Sequence, residues 1–245
     1  WSKLRHQNVL PLLGITTDFD YTISIVSEWM DKGNAHDYVQ DETVDPRPLI
    51  DGIAQGLQYL HTYKTGSSIF HGDLKGANIL ISAEGRPLLT DFGFSYVVNS
   101  SFKISLPAPS GGTFNWMAPE KLNGDDLMPT AEGDVWSFGM TTLELFTRKV
   151  PFHEHWTYAQ VMLRVMKGPL PDRPSTDDTH SRLTNDWWDL CRSCWNQEPS
   201  LRPSMPDVVK KISSFLIHES RQQMLVQRSQ QLSPTTNELL NICPR

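Results

Sequence analysis

One stretch constrains this chain more than any other: residues 71–93, with the sequence HGDLKGANILISAEGRPLLTDFG. Asp73 and Asn78 stand five positions apart. Asp91 follows thirteen positions after Asn78, behind the apolar run 87–89, which predicts a short strand. Three oxygen-bearing side chains are thereby delivered to strand ends and loops. Such ligands suit Mg²⁺, which is usually held by one or two carboxylates together with substrate phosphates and water.

The residues around Asp73 point to phosphoryl transfer. Asp91 and Asn78 are the natural metal pair. Lys75 lies two positions after Asp73, and a carboxylate beside a cation can accept a hydroxyl proton while the cation neutralises charge on the transferring group. These residues therefore favour Asp73 as a base, Lys75 as a phosphate clamp, and Asn78 with Asp91 as metal ligands.

The same stretch resembles the catalytic loop and DFG segment of the eukaryotic protein kinases. Further motifs follow in the family's order: GT at 112–113, WMAPE at 116–120, DVWSFG at 134–139 and PSLRP at 199–203. Several independent motifs in the right order leave little room for chance, and the resemblance covers roughly residues 1–217. It implies an α+β, protein-kinase-like fold of the tyrosine-kinase-like group, with a mainly helical C-terminal lobe and a remnant of the β-rich N-terminal lobe.

The resemblance also divides the chain into four parts. Residues 1–27 would be the remnant of the N-terminal lobe, formed by the end of its helix and its last two strands. Residues 28–34 would be the hinge, and residues 35–217 the C-terminal lobe. Residues 218–245 turn polar and would form a frayed helix or none.

The hinge and the strand after the catalytic loop carry the nucleotide contacts that the resemblance implies. Backbone groups of Glu28 and Met30 would bond the adenine edge, and Asn34 would lie on the ribose side. Leu80 would form the floor under adenine, and Ser27 would hold a small gatekeeper position. The implied cofactors are ATP and Mg²⁺. Without the downstream motifs, the hinge segment is an ordinary strand followed by a loop.

Other residues receive structural roles from the resemblance. His71 would pack against Phe92 and would not act as a base. Asp134 would hold the backbone of the catalytic loop, and Glu120 would pair with Arg202 in a largely buried ion pair. Removing one partner from such a pair costs on the order of 3–5 kcal/mol, so these two residues are expected to act structurally.

The chain departs from the family's pattern at one position next to the catalytic aspartate. Gly72 stands where the family most often has Arg, which pairs with a phosphorylated residue of the activation segment. The resemblance therefore does not imply control by phosphorylation of residues 94–112, a Ser-, Pro- and Gly-rich stretch that predicts a loop. Thr113 would bond the catalytic aspartate. Lys75, within the sequence DLKGAN, matches the serine/threonine pattern.

Hydrophobic periodicity predicts the remaining elements. A strand pair is expected over 9–15 and 21–26, the end of a helix over 1–6, and helices over 35–39, 49–60, 134–146, 159–166, 187–195 and 204–216. Gly52 and Gly56 lack the strand-turn-helix context of a nucleotide loop, so they predict close helix packing. Cys191 and Cys194 have no second pair nearby, which favours small core residues over a zinc or redox site.

Composition restricts the partners and the compartment. The net charge of −6 and the pI near 5.7 argue against general nucleic-acid binding, which needs a basic face. Three cysteines do not make a disulfide framework, so a reducing, cytoplasmic setting is expected. No apolar run approaches the roughly 20 residues of a membrane span. The first residue is Trp, so the natural start is not in view.

Two parts of a kinase active site are expected upstream of residue 1. The sequence contains no G-x-G-x-x-G loop and no Val-Ala-Ile-Lys strand, and phosphoryl transfer needs the lysine-glutamate pair as well as the metal-binding aspartate. The chain alone is therefore expected to have little or no kinase activity, whereas the parent protein is expected to phosphorylate Ser/Thr of protein substrates.

Two other functions stay open at this point. A pseudokinase or signalling module is favoured by Gly72 and by the missing half of the active site, but it has no chemical need for Asp73, Lys75, Asn78 and Asp91 together. A small-molecule phosphotransferase is disfavoured by residues 112–120, which shape a peptide groove in the family. A glycine loop and a strand lysine upstream of residue 1 would favour the enzyme.

Overall fold

The structure is a computed structural model that describes residues 1–18, 24–64, 68–91, 96–97, 114–123, 128–154 and 157–232. In chain order its strands are β1 (Leu12–Thr16), β2 (Ser24–Ser27), β3 (Ile69–Phe70), β4 (Ile79–Ile81), β5 (Pro87–Leu89) and β6 (Tyr96–Val97). Its helices are α1 (Ala35–Tyr38), α2 (Pro46–His61), α3 (Pro119–Asn123), α4 (Ala131–Thr147), α5 (Tyr158–Lys167), α6 (Asn185–Cys194) and α7 (Met205–Leu232). Within these ranges the strands form small two-stranded sheets, and helices make up most of the regular secondary structure.

The N-terminal strand pair forms as predicted. β1 and β2 are antiparallel, with Ile15 opposite Ile25. Side chains alternate along β1 between a half-buried and an exposed face, so Leu13 and Ile15 point to the exposed side. The connection and the start of the predicted second strand lie partly outside the described residues.

The prediction of a helix end over residues 1–6 is wrong. The structure has one hydrogen-bonded turn there, in which the N–H of Leu4 donates to the carbonyl of Trp1 at 2.8 Å. One such bond closes a turn, whereas an α-helix needs successive bonds from residue i to residue i−4. Trp1 and Leu4 nevertheless pack against the core, as their spacing suggests.

Helix α2 packs closely under the segment that carries the site. It begins at the N-cap Asp45, whose side chain accepts the N–H of Arg47. A Cβ atom added to Gly52 would lie 2.6 Å from Pro87 Cγ, and one added to Gly56 would lie 2.8 Å from the carbonyl oxygen of Asn8. The predicted close helix packing at both glycines is confirmed.

The centre of the core is α4, which is buried along nearly its whole length. Thr130 caps it by accepting the N–H of Gly133 at 3.1 Å. The helix contacts α2 and α6 and lies behind the short 3₁₀ helix Gly76–Asn78. Continuous hydrophobicity is typical of a helix that is enclosed on all sides, and this prediction is confirmed.

The C-terminal helices α5 and α6 lie where periodicity predicts them, and α7 begins where it is predicted to begin. Thr184 is the N-cap of α6, although its side chain makes no capping hydrogen bond. Cys191 and Cys194 on that helix are free and buried. Burial raises the pKa of Cys191 well above its ordinary value and that of Cys194 to about 12. The prediction that both are core residues is confirmed.

Helix α7 continues well beyond residue 216, into the segment predicted to be a polar tail. The carboxylate of Glu219 joins two other helices: its Oε2 accepts from Arg47 Nη1 of α2 at 2.7 Å, and its Oε1 accepts from Trp187 Nε1 of α6 at 3.1 Å. The helix ends at Leu232, and residues 233–245 lie outside the described residues. None of the helices in the described ranges combines the length and apolar composition needed to cross a bilayer.

Candidate active site

A buried carboxylate fixes the start of the catalytic loop between β3 and β4. Asp134, in the first turn of α4, accepts hydrogen bonds from the backbone N–H groups of His71 and Gly72, both at 2.8 Å. Its Oδ2 also contacts Nε2 of His61, at the end of α2, at 2.8 Å. The predicted role of Asp134 in holding the loop backbone is therefore confirmed.

His71 is fully enclosed in this loop. Its Nδ1 accepts the backbone N–H of Asp73 at 3.3 Å. Burial lowers the pKa of His71 below its ordinary 6.5, although the negative charges of Asp134 and Asp73 act in the opposite direction. The imidazole is therefore neutral near pH 7, which agrees with a structural histidine. Its predicted partner Phe92 lies outside the described residues, as do Thr113 and residues 98–112.

Asp73, Lys75 and Asn78 form one hydrogen-bonded cluster. Nζ of Lys75 lies 3.0 Å from Oδ2 of Asp73. Nδ2 of Asn78 donates to the same oxygen and to the main-chain carbonyl of Asp73, both at 2.8 Å. The other carboxylate oxygen, Oδ1, is buried and has no hydrogen-bond partner among the described residues. Because an unsatisfied buried acceptor is costly, this oxygen is suited to receive a hydroxyl hydrogen.

The β4–β5 hairpin brings Asp91 next to this cluster. Ile79 pairs with Leu89, and the N–H of Thr90 donates to the main-chain carbonyl of Asn78 at 3.1 Å. Asp91 follows with a φ of 55°, a left-handed conformation that Asp adopts more readily than most residues. The hairpin thus places Asp91 and Asn78 at the same end of the two strands.

Asn78 and Asp91 fit a metal ion that arrives with other ligands. Since Nδ2 of Asn78 donates to Asp73, its amide oxygen is the side-chain atom that can coordinate a cation. In the part of the chain that the structure describes, no three His, Cys, Asp or Glu side chains form a metal cage. Mg²⁺ commonly completes its shell with water and substrate phosphates. One carboxylate and one amide oxygen therefore suit Mg²⁺ bound together with a nucleotide.

The hinge leaves β2 as a surface turn. Glu28 is exposed and Met30 is half-buried. The N–H of Gly33 donates to the carbonyl of Met30 at 3.0 Å, and Gly33 has a φ of 69° that favours glycine. The Met30 carbonyl already has one donor, so the Met30 N–H is the better group for an adenine edge. The adenine contacts of Glu28 and Met30 remain predictions.

Asn34 and Leu80 meet where the hinge joins β4. The two residues form an antiparallel bridge, and the N–H of Ile81 donates to the carbonyl of Gly33 at 2.9 Å. The Asn34 side chain caps α1, because it accepts the N–H of Asp37 at 2.9 Å and donates to the Asp37 carboxylate at 2.8 Å. Both polar atoms of Asn34 are thus used locally. Its ribose contact and the adenine floor at Leu80 remain predictions.

The predicted ion pair between Glu120 and Arg202 is confirmed. Nη1 and Nη2 of Arg202 donate to the two carboxylate oxygens of Glu120, each at 2.7 Å. The Arg202 side chain is fully buried, whereas that of Glu120 is 28% exposed. Arg202 also donates to the carbonyls of Asn196 and Glu132, both at 2.9 Å. The pair therefore ties α3 to the start of α4 and to the segment before α7.

Sequence reasoning missed Glu144, a second carboxylate buried behind the loop. Its Oε2 accepts from the backbone N–H of Gly76 at 3.0 Å and from Nε1 of Trp116 at 2.8 Å. Its Oε1 lies 2.8 Å from Nδ1 of His36 in α1. The signal was present in the sequence, because an acidic residue inside the most apolar helix must find hydrogen-bond donors.

Comparisons with known proteins agree with this geometry. Residues 1–212 match the protein kinase domain. The chain is 29% identical over 238 residues to human receptor-interacting serine/threonine-protein kinase 1, covering 89% of this chain and 34% of that protein. Over 232 residues it is 32% identical to rat receptor-interacting serine/threonine-protein kinase 3, covering 88% and 47%.

A plant relative extends the match over almost the whole chain. The mitogen-activated protein kinase kinase kinase 2 of Arabidopsis thaliana is 29% identical over 246 residues, covering 98% of this chain and 36% of that protein. The chain thus spans between about a third and a half of the length of these relatives. The predicted tyrosine-kinase-like assignment is confirmed, as is a kinase fold with a helical C-terminal lobe and a remnant N-terminal lobe. Because the match covers residues 1–212, most of this sequence, the chain belongs to the protein kinase domain family.

Proposed function

We propose that the protein transfers the γ-phosphoryl group of ATP to Ser or Thr hydroxyls of other proteins. This proposal rests on the different hydrogen-bond partners of the two carboxylate oxygens of Asp73. Lys75 and Asn78 hold Oδ2, whereas Oδ1 has no partner among the described residues. One oxygen is thus fixed and the other can accept a hydrogen bond. The relatives that are named serine/threonine-protein kinases support the choice of acceptor.

Each residue of the cluster has one task in this reaction. Asp73 Oδ1 orients the acceptor hydroxyl and takes its proton. The Lys75 ammonium, kept beside Asp73, offers positive charge to the transferring group. Asn78 and Asp91 would hold Mg²⁺, which neutralises phosphate charge when it is bound with ATP. Asp134 keeps the loop backbone in place while the proton moves.

A pseudokinase is the second candidate, and Gly72 is the observation that favours it. Gly72 replaces the residue type that would read an activation-segment phosphate, and its backbone has a φ of 82°. A pseudokinase would use the same fold as a binding module. It would bind nucleotide or a protein partner without turnover. The two candidate functions therefore differ in phosphoryl-transfer activity and not in fold.

The test is a transfer assay with γ-labelled ATP, Mg²⁺ and a generic basic protein. It is run on the 245-residue chain and on an extended protein that supplies a glycine loop and a strand lysine, which phosphoryl transfer needs. Asp73→Asn is expected to reduce turnover of the extended protein by about 10²–10⁴-fold. Asp178→Asn, at an exposed surface pair, is the matched control and should leave turnover unchanged. Label in acid-stable phosphoserine or phosphothreonine is the expected product.

Nucleotide binding separates the two candidates. Titration calorimetry with ATP is run with and without Mg²⁺, and Asp91→Asn is expected to abolish the part of the affinity that depends on Mg²⁺. Binding without any transfer by the extended protein would favour the pseudokinase. Transfer that survives Asp73→Asn at full rate would contradict the assignment of the base.

A further inference from the structure

The buried carboxylate of Glu144 has donors from three different segments. Only 2% of its side chain is exposed. One donor is the backbone N–H of Gly76 in the catalytic loop, at 3.0 Å, and another is the indole N–H of Trp116, at 2.8 Å. The third contact is Nδ1 of His36, at 2.8 Å. Glu144 therefore joins α1, the catalytic loop and the segment before α3.

His36 is the member of this group that can change its charge near neutral pH. Gly76 and Trp116 contribute neutral donors, so His36 supplies the only positive charge that contacts Glu144 in the described part of the chain. Its side chain is 28% exposed, and the imidazole can exchange a proton with water. A protonated His36 makes a charge-assisted hydrogen bond to Glu144, and a neutral one makes a weaker bond.

The position of Gly76 makes the catalytic loop sensitive to this pair. Gly76 lies between Lys75 and Asn78, both of which contact Asp73. A Cβ atom at Gly76 would lie 2.6 Å from Oε1 of Glu144, so the loop backbone rests directly on the carboxylate. A shift of Glu144 therefore displaces the backbone that carries the clamp and the metal ligand.

The charges on the neighbouring elements act together on His36. The hydrogen bond to Glu144 raises the pKa of His36 above its ordinary 6.5; burial opposes this, and the charges of Glu144 and Asp37 reinforce it. Lys75, at the start of the 3₁₀ helix, is held by Asp73. Arg148, just after α4, points its guanidinium toward main-chain carbonyls, including that of Glu42. The two acidic groups thus favour the protonated imidazole.

We propose that His36 is a positioning residue that acts through Glu144: protonated, it holds the catalytic loop and the Trp116 segment together, and on releasing its proton to solvent it lets the loop open more often. The consequence for phosphoryl transfer rests on the function proposed above. The coupling is present in full below a pH of about 6.5, the unfolded value for histidine, and it is lost as the pH rises through the folded pKa of His36.

The test measures the loop directly and does not need kinase activity. Hydrogen exchange of the Gly76 amide and the Trp116 indole is followed by NMR from pH 5.5 to 8.5 and expressed as protection factors, which correct for base catalysis. The ring signals of isotope-labelled His36 give its titration in the same samples. Both protection factors are expected to fall about tenfold as His36 titrates, as for the loss of one hydrogen bond to a charged group.

Two substitutions and one control make the result decisive. His36→Gln should give low protection at all pH values, and His36→Lys, which keeps the charge, should give high protection at all pH values. His153→Gln, at an exposed histidine, should leave the wild-type pH profile unchanged. Amides in α7 report whether each variant is folded. A flat profile in the wild type, or the wild-type profile in folded His36→Gln, would overturn the proposal, whether or not the protein proves to be an active kinase.

Discussion

Replacing Glu120 by Ala should destabilise the domain far more than removing a surface carboxylate. The change takes away both acceptors of the bidentate contact with Arg202, each at 2.7 Å. Arg202 cannot move its charge into water, because none of its side chain is exposed. The substitution therefore leaves a buried guanidinium without its counter-ion, which is the costly way to break an ion pair.

The contacts of Arg202 and Glu120 determine how much free energy of unfolding Glu120→Ala is expected to lose. Breaking a buried pair by removing one partner costs about 3–5 kcal/mol. Arg202 retains two carbonyl acceptors, and its guanidinium carbon lies 5.1 Å from the centre of the Trp136 ring. Glu120 is also 28% exposed, so water can partly replace its carboxylate. We therefore expect about 3 kcal/mol for Glu120→Ala, the lower end of that range. Glu120→Gln keeps an acceptor oxygen and should cost less.

Urea unfolding followed by tryptophan fluorescence measures this free energy. The matched control is Glu84→Ala, which breaks a contact of 3.3 Å with Arg86 between two side chains that are more than half exposed. Exposed pairs of this kind contribute about 0–1 kcal/mol. Equal losses in the Glu120 and Glu84 variants would refute the argument from burial. A change in the slope of unfolding free energy against urea would show that the variant alters the unfolded or native ensemble instead.

Three further outcomes are expected. Gly76→Ala should lower the free energy of unfolding by about 1–3 kcal/mol, because the new methyl would meet Oε1 of Glu144 at 2.6 Å. Urea unfolding at neutral pH measures this free energy, and an unchanged value would show that Glu144 can move aside. The buried His71 has a lowered pKa, so its contribution to stability should be complete above about pH 6.5 and fall as the pH drops through the folded pKa; unfolding at pH 7.5 and 5.5 should show less pH dependence in His71→Gln. Cys191 and Cys194 should resist a thiol reagent in the native protein and react after unfolding, since burial raises the pKa of both thiols; rapid labelling of either of these two residues in the native protein, located by peptide mapping, would contradict this.

Local signals in the sequence predicted the parts of the site that lie close together along the chain. Asp73, Lys75 and Asn78 fall within six residues, so one loop brings them into contact. The strand 87–89 places Asp91 at the same end of the hairpin as Asn78, because a short hairpin allows few alternative strand pairings. The role of Asp134 could be predicted only from the family's order of motifs, since its hydrogen-bond partners are more than sixty residues away in the sequence.

Contacts between distant residues could not be predicted where no motif of the family includes them. His36 and Glu144 are 108 positions apart, and no periodicity encodes their meeting. A polar residue before a short helix makes a good N-cap, and Asn34 fills this role in the structure; its ribose contact stays a prediction. The polar composition after residue 216 suggested fraying, yet α7 continues because Glu219 gains tertiary partners that helix propensity does not include.

The contacts of Glu219 show that the folded domain extends beyond the residues that match the family model. The family match ends at residue 212, whereas the carboxylate of Glu219 still holds Arg47 and Trp187 seven residues later. A polypeptide shortened to the family match would leave a half-buried guanidinium and a buried indole N–H without this acceptor. The part of α7 just after the family match therefore links α2 and α6 through Glu219, and any homologue trimmed by sequence similarity alone should first be checked for an equivalent contact.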